Sequence, residues 1–175
     1  MTRLLPFDLR ALHAALASAR MERGLSWTEV LAQINQACAG TPSIPISLGT
    51  LREMDRKSSV TSAVVLQALR WLGRTPESFL VSTSQQPYTG PTQHLPEPGP
   101  GRILRLDTRA LHAALDASRT HSGLTWKQLA GQLPGFTPAM LTNLATGPLI
   151  GFPRVMLPTQ WLQQPTAHFV RICDR

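Results

Sequence analysis

The chain has 175 residues, of which 42% are hydrophobic and 15% are charged, and this composition excludes a charge-rich disordered tail. No apolar run approaches the roughly 18 residues that a membrane-spanning helix needs, so we expect no membrane contact. Seventeen lysines and arginines stand against 10 acidic residues, a formal net charge of +7. This excess favours a polyanionic partner, and nucleic acid is the commonest one.

The N-terminus resembles a short signal peptide at first sight, but Asp8, Arg10 and His13 interrupt its apolar stretch. We therefore expect a cytoplasmic protein. Cys38 and Cys173 have no metal-ligand spacing and no disulfide framework, which indicates two reduced thiols. We expect neither a metal site nor a cofactor.

The first two predicted helices form a helix–turn–helix. Asp8 is an N-cap whose carboxylate can accept a free backbone N–H of the first turn. Gly24 suits the position just after the first helix. Ser26 and Glu29 then form the capping box of the second helix.

Two more helices and a short turn complete this first unit. The third helix is predicted over residues 47–56 with Ser47 as its N-cap. The fourth begins at Thr61 and ends at Gly73, and a short turn over residues 76–80 closes the bundle. These elements predict a compact helical first unit over residues 1–80.

Residues 81–102 read as a Pro/Gly-rich linker, with no lysine or arginine in residues 81–100. We expect it to behave as a flexible tether. The second unit then covers residues 103–175, so the chain divides into two small domains and a linker.

The second unit repeats the first. Residues 106–133 match residues 7–34 at an offset of 99, with RALHAAL shared, and later landmarks such as Trp71 and Trp161 match at an offset of 90. The capping devices recur in the second unit, at Asp107, at Thr125 with Gln128, and at Thr137. Pro158 falls inside the fourth helix of the second unit, which we expect to be shortened or kinked there.

Both units carry the pattern R-x-x-x-G-L-[ST]-W-x-x-[VL], followed by [ST]-x-x-x-L-x-x-[ML]. This pattern resembles the Cro/C1-type (XRE, lambda-repressor-like) helix-turn-helix family. The resemblance implies an all-α fold of two lambda-repressor-like domains, each of four to five short helices, joined by the Pro-rich linker. In that family the third helix enters the major groove and the start of the second meets the phosphate backbone.

The resemblance therefore implies DNA contacts at the start of the second helix and along the third helix of each unit. In the first unit these residues are Trp27, Thr28, Ser47, Leu48, Gly49, Thr50, Arg52, Glu53, Arg56 and Lys57. In the second unit they are Trp126, Lys127, Thr137, Pro138, Ala139, Thr142 and Asn143.

Particular chemistry follows for some of these positions. Arg52 could pair with guanine and Asn143 with adenine, each good bidentate contact supplying about 1–3 kcal/mol of discrimination. For Trp27 and Trp126 two roles stay open, an indole N–H donated to phosphate or a ring packed over the first helix. The resemblance also implies an ion pair between Arg20 and Asp55.

We expect a sequence-specific double-stranded DNA-binding protein, a bacterial or phage transcriptional regulator such as a repressor. Two different reading heads predict a non-palindromic or direct-repeat site. A protein-interaction module (an antitoxin, adaptor or inhibitor) is the alternative, and a homodimer or a protein partner stays open. An enzyme is not expected, because the sequence has no Gly-rich phosphate loop and no nucleophile elbow.

Overall fold

The computed structural model describes residues 3–36, 46–81, 87–147 and 150–173. The first unit consists of α1 (Leu9–Glu22), α2 (Trp27–Gln36), α3 (Leu48–Arg52) and α4 (Ser62–Leu72), with 3-10 turns at Met54–Arg56 and Pro76–Phe79. The second consists of β1 (Ile103–Leu106), α5 (Thr108–His121), α6 (Trp126–Gln132), α7 (Pro138–Thr142), α8 (Phe152–Trp161), a 3-10 turn at Thr166–Phe169 and β2 (Val170–Cys173). Within these described ranges, no helix is both long and apolar enough to cross a membrane.

The prediction of an all-α fold is wrong, because the second unit contains a small two-stranded sheet. β1 and β2 pair antiparallel, with Ile103 opposite Cys173 and Leu106 opposite Val170. The fold is thus mixed α/β, although it is 56% helical and only weakly mixed. Each strand has four residues, which is too short for a clear period-2 pattern, and the pairing joins the two ends of the unit.

The predicted helix caps are confirmed except at Thr61, whose side chain forms no capping hydrogen bond. The Asp8 carboxylate accepts hydrogen bonds from two backbone N–H groups of the first turn of α1. Ser26 and Glu29 bond reciprocally at the start of α2, and Thr125 and Gln128 do the same for α6. These caps satisfy backbone donors that would otherwise lack partners at the helix starts.

The third helices are shorter than predicted. In place of one helix over residues 47–56, α3 ends at Arg52, where Glu53 leaves helical geometry, and a separate 3-10 turn follows. In the second unit α7 likewise has five residues. α8 continues through Pro158 and is one residue shorter than α4, with 10 residues against 11.

The core of the first unit includes residues of the second, which also has an apolar cluster of its own around Leu111 and Leu115. Phe152 and Met156 of α8 are fully buried in the same apolar cluster as Leu12 and Leu66 of the first unit. The Phe152 ring lies 5.0 Å from that of Phe7 in an edge-to-face contact. Folding of the first unit therefore depends on apolar surface supplied by the second.

Equivalent positions of the repeat meet at the junction. Thr61 and Gly151, which match at the offset of 90, form an antiparallel bridge, and the Phe152 N–H donates to the Val60 carbonyl at 2.9 Å. A Cβ at Gly151 would lie 1.7 Å from Ser59 Oγ, so a larger residue would force the Ser59 side chain to move. Antiparallel pairing of equivalent positions places a local pseudo-two-fold axis between the units.

A second pair of contacts follows the same symmetry only for the helices and segments involved, because Gln67 matches Leu157 at the offset of 90. Gln160 of α8 bonds both backbone groups of Leu5, at 2.9 Å each. Gln67 of α4 donates to the carbonyl of Leu104 at 3.2 Å, and Leu104 matches Leu5 at the offset of 99. Each unit's fourth helix thus holds the first segment of the other unit.

The described part of the linker, residues 87–102, lies against the first unit instead of extending freely. Tyr88 and Leu95 pack on its core, and Arg70 contacts Glu97 at 3.3 Å. The separation of the units is therefore set by their shared core, and tether length plays no part in it.

Candidate nucleic-acid interface

The corner between the first two helices has the same backbone geometry in both units, although, among the described residues, only Arg119 also pairs with an acidic residue, Asp116. Gly24 and Gly123 take positive φ angles of 65° and 67°, a conformation that favours glycine. The Arg20 guanidinium donates to the Leu25 carbonyl at 2.9 Å, and Arg119 bonds its matching carbonyl at the same distance. These contacts fix the direction in which the second helix leaves the corner.

The expected ion pair between Arg20 and Asp55 is absent from the described residues. Arg20 instead donates to the corner carbonyl, and its Nε is buried without a partner. Because the guanidinium is held by the corner, the family's implied contact to the end of the third helix does not form.

The two predicted tryptophans pack over the first helix of their own unit. The Trp27 ring stacks on His13 with centroids 5.4 Å apart, and Arg20 Cζ lies 5.1 Å from the ring centroid. Trp126 has the same arrangement, with His112 at 5.2 Å. This geometry favours the packing role of the two rings over phosphate contact.

The starts of the second helices differ in charge. Thr28 and Lys127 are exposed there, but Glu29 adds a carboxylate to the first turn of α2. Hydrogen bonds from the Ser26 backbone and side chain lower the pKa of Glu29 and keep it ionised. The first unit therefore presents a negative charge where the family resemblance implies a phosphate contact.

The predicted residues of α3 divide into structural and exposed ones. Ser47 Oγ caps the helix by accepting from the Thr50 N–H and donates to Thr50 Oγ1 at 2.8 Å. Leu48 is half-buried. The exposed members of the predicted set are Ser47, Gly49, Arg52, Glu53, Arg56 and Lys57.

The predicted residues of α7 divide in the same way, and Thr137, like Ser47, is both exposed and structural. Its hydroxyl accepts from the Met140 N–H at 3.2 Å and caps the helix. Thr142 donates to the Ala139 carbonyl, while Pro138, Ala139, Thr142 and Asn143 are exposed. None of these four side chains is charged, in contrast to the three cations beyond the start of α3.

The two sets of exposed residues approach the same junction. Lys57 is four residues from Thr61, so their Cα atoms lie within about 14 Å, and Thr61 is bridged to Gly151. On the other side Ala139 and Asn143 line a groove together with Ser58 and Ser59 of the first unit. Sequence reasoning missed these serines and Arg154. The serines lie in a polar loop, RKSS, directly after the third helix, and this loop is the one sequence feature that could have indicated them.

Within the described ranges no cluster of three or more histidine, cysteine or carboxylate side chains could hold a metal ion. No protein-family model, curated protein or solved structure matches the chain.

Proposed function

We propose that this chain is a sequence-specific double-stranded DNA-binding protein of the Cro/C1 helix-turn-helix type, acting as a cytoplasmic transcriptional regulator of bacterial or phage origin. The observation that carries the proposal is the placement of the exposed cations Arg52, Arg56 and Lys57 beside the paired loops, with exposed Thr142 and Asn143 across the junction. The chain's net charge of +7 supports it.

The exposed side chains divide naturally by role. Arg52 has the two-pronged geometry that matches guanine O6 and N7, and the Asn143 amide matches adenine N6 and N7. Arg56 and Lys57 follow the helix and suit phosphate oxygens, which carry no sequence information. In this assignment the first unit supplies the cationic contacts that follow its third helix, and the second contributes a neutral reading face.

The pseudo-two-fold axis refines the expected target. B-DNA has local two-fold axes perpendicular to its own axis, so heads related by a two-fold read half-sites of opposite direction. We therefore expect an inverted repeat of two unequal half-sites. A direct repeat is disfavoured, because it requires heads related by translation.

Selection from a random duplex pool, followed by titration of the winning duplex at several salt concentrations, tests the proposal. We expect an imperfect inverted repeat and an affinity that falls linearly with the logarithm of salt concentration. Absence of any salt-dependent duplex affinity would contradict the proposal.

Three variants separate the roles. Arg52→Ala should cost about 1–3 kcal/mol on the selected duplex and relax specificity at one base pair. Lys57→Ala should weaken all duplexes alike and reduce the salt slope by about 0.9. Arg171→Gln is the control, because Arg171 is exposed on β2 beyond the far end of α8, a helix of about 15 Å.

The uncharged face of α7 favours a second candidate, a protein-interaction module. Pro138 and Ala139 are exposed but offer no hydrogen-bond donor to a base edge. A protein that binds this face without duplex affinity would support the module and displace the regulator.

A further inference from the structure

A groove of about 660 Å³ lies between the two units, next to the bridge of Thr61 with Gly151. Its walls come from both halves, since Ser58 belongs to the first unit and Asn143 to the second. The volume falls within the range of about 300–1,000 Å³ that is typical of small-molecule sites.

The groove combines an apolar floor with one cation. Met140, Ile150 and Pro153 are half-buried and provide apolar surface, while Arg154 is exposed at the edge. No acidic side chain is among the described residues that line it. The site therefore favours a ligand with an apolar body and a single negative charge.

Two further polar side chains, those of Ser58 and Asn143, line the same groove as Arg154. The side chains of Ser58, Asn143 and Arg154 form no hydrogen bond within the described part of the chain. Arg154 Nε lies 3.9 Å from the position that a Cβ would take at Gly135, in the turn before α7. The guanidinium thus lies near the turn before α7, at the edge of the groove, and its geometry allows two parallel hydrogen bonds to a carboxylate.

We propose that this groove binds a small amphipathic carboxylate, an aryl or short acyl acid, whose apolar part rests on Met140 and Ile150 and whose carboxylate pairs with Arg154. A DNA backbone is the less suitable occupant, because a phosphodiester would leave the apolar floor without a partner. Ala139 and Asn143 also belong to the proposed reading face, so an occupied groove would compete with DNA. That consequence rests on the proposed function, whereas binding of the carboxylate does not.

The test uses 4-phenylbutyrate as the probe and the full chain labelled with ¹⁵N. Saturable shifts are expected for the Gly151 backbone amide and the Asn143 side-chain amide. The neutral analogue 4-phenylbutyramide should bind about tenfold more weakly, since it lacks the charge-assisted pair with Arg154. Equal affinity of acid and amide, shifts scattered over the surface, or no binding by about 10 mM would overturn the proposal.

Arg154→Gln should weaken the acid about tenfold and leave the amide unchanged, while the control Arg171→Gln should affect neither. Because Arg154 is exposed, the variant should keep the helical content of the parent chain, which circular dichroism checks. Loss of acid binding in both arginine variants would indicate unspecific attraction to a basic protein and would contradict the site.

A last arm adds the probe to a complex with the selected duplex. Displacement of the duplex in the parent chain, but not in Arg154→Gln, is expected. Duplex binding that is unaffected by saturating probe would remove the competition and leave the carboxylate site standing. Failure to find any duplex would instead count against the proposed function alone.

Discussion

The two units share their internal contacts and differ in their exposed faces. Trp71 donates its indole N–H to Gln33 at 2.9 Å, and Trp161 donates to Gln132 at 2.8 Å. The arginine at each corner and the stacked histidine and tryptophan recur as well. The exposed faces differ, because the first unit carries cations at the end of and after its third helix, whereas the exposed predicted residues of α7 in the second unit are neutral.

This difference separates two kinds of constraint on a repeated sequence. Residues that hold each unit's own framework have been kept in both copies, because both need the same corner and the same bundle. Positions at the junction and on the outer face have diverged: Phe152, for example, matches Ser62 at the offset of 90. Because the two frameworks match but the units contact each other, experiments can test whether the units unfold separately and whether matching contacts contribute equally to stability.

The largest effect is expected from Phe152→Ala, which would show whether the units fold separately. Phe152 is fully buried in the shared cluster, so the truncation should cost about 3–5 kcal/mol. Both units should unfold together, which urea titration followed by amide resonances of α2 and α6 would check. Different midpoints for the two helices would contradict a shared core.

Two further variants serve as a conservative alternative and as a surface control for this experiment. If Phe152→Ala does not fold, Phe152→Leu keeps most of the volume and should cost less than about 1.5 kcal/mol. Met21→Ala is the surface control, because Met21 is 71% exposed and should change the stability by less than about 0.5 kcal/mol.

Local chemistry made much of this structure predictable. Asp8 and the Ser26–Glu29 box mark helix starts through contacts within three residues, and the repeat doubles the information for the corner. For the candidate site, sequence reasoning identified Arg52 and Asn143, both of which are exposed, and assigned Ser47 and Thr137 as caps.

The junction could not be predicted because its contacts are not local. Gln67 bonds Leu104, 37 residues away, and Gln160 bonds Leu5, 155 residues away. Both glutamines lie among apolar residues with no signal that separates them from surface positions. The strand pairing and the role of Arg154 in the groove depend equally on how the two units meet.

The two glutamines at the junction contribute unequally to stability, and the variants Gln160→Ala and Gln67→Ala measure the difference. Removing Gln160 leaves the buried N–H and carbonyl of Leu5 both unpaired, at about 3 kcal/mol together. Removing Gln67 frees one carbonyl and also deletes its own unpartnered Oε1, so about 1 kcal/mol is expected. Chemical denaturation gives both changes in the free energy of unfolding. Equal changes for the two variants would contradict the unequal roles assigned to Gln160 and Gln67.

The buried carboxylate of Glu77, which is hydrogen-bonded through only one of its two oxygens, predicts that stability depends on pH. Glu77 is 3% exposed, and its Oε1 accepts from the Thr166 N–H at 2.7 Å while Oε2 is buried without a partner. Burial raises the pKa of Glu77 above its ordinary 4.5 and, together with the Glu77 charge, raises the pKa of Tyr88. Because the folded state then holds the proton more tightly, this stabilisation is complete below pH 4.5 and is lost as the pH rises through the folded-state pKa.

Glu77→Gln keeps the acceptor for Thr166 and removes the charge. At pH 7 we expect it to raise the free energy of unfolding by about 1 kcal/mol, the scale of one buried polar atom without a partner. The fall in stability above pH 4.5 should flatten in thermal melts across the pH range. Glu22→Gln, at an exposed position, should leave the pH profile of the parent chain intact, and an unchanged profile in Glu77→Gln would contradict the assignment.

The smallest expected effect concerns the most faithfully repeated contact, the indole N–H donated to glutamine. Gln33 is exposed and Gln132 is half-buried, so water can replace the first acceptor more easily than the second. Gln33→Ala should therefore cost about 0.5 kcal/mol and Gln132→Ala about 1 kcal/mol. Urea midpoints at unchanged slope would measure both, with the matching Gln→Glu variants as controls that retain the acceptor oxygen. Equal losses would mean that the repeated geometry alone sets the strength of the hydrogen bond. A larger loss for Gln132→Ala would mean that solvent access sets it, so that the same contact contributes differently to stability in the two units.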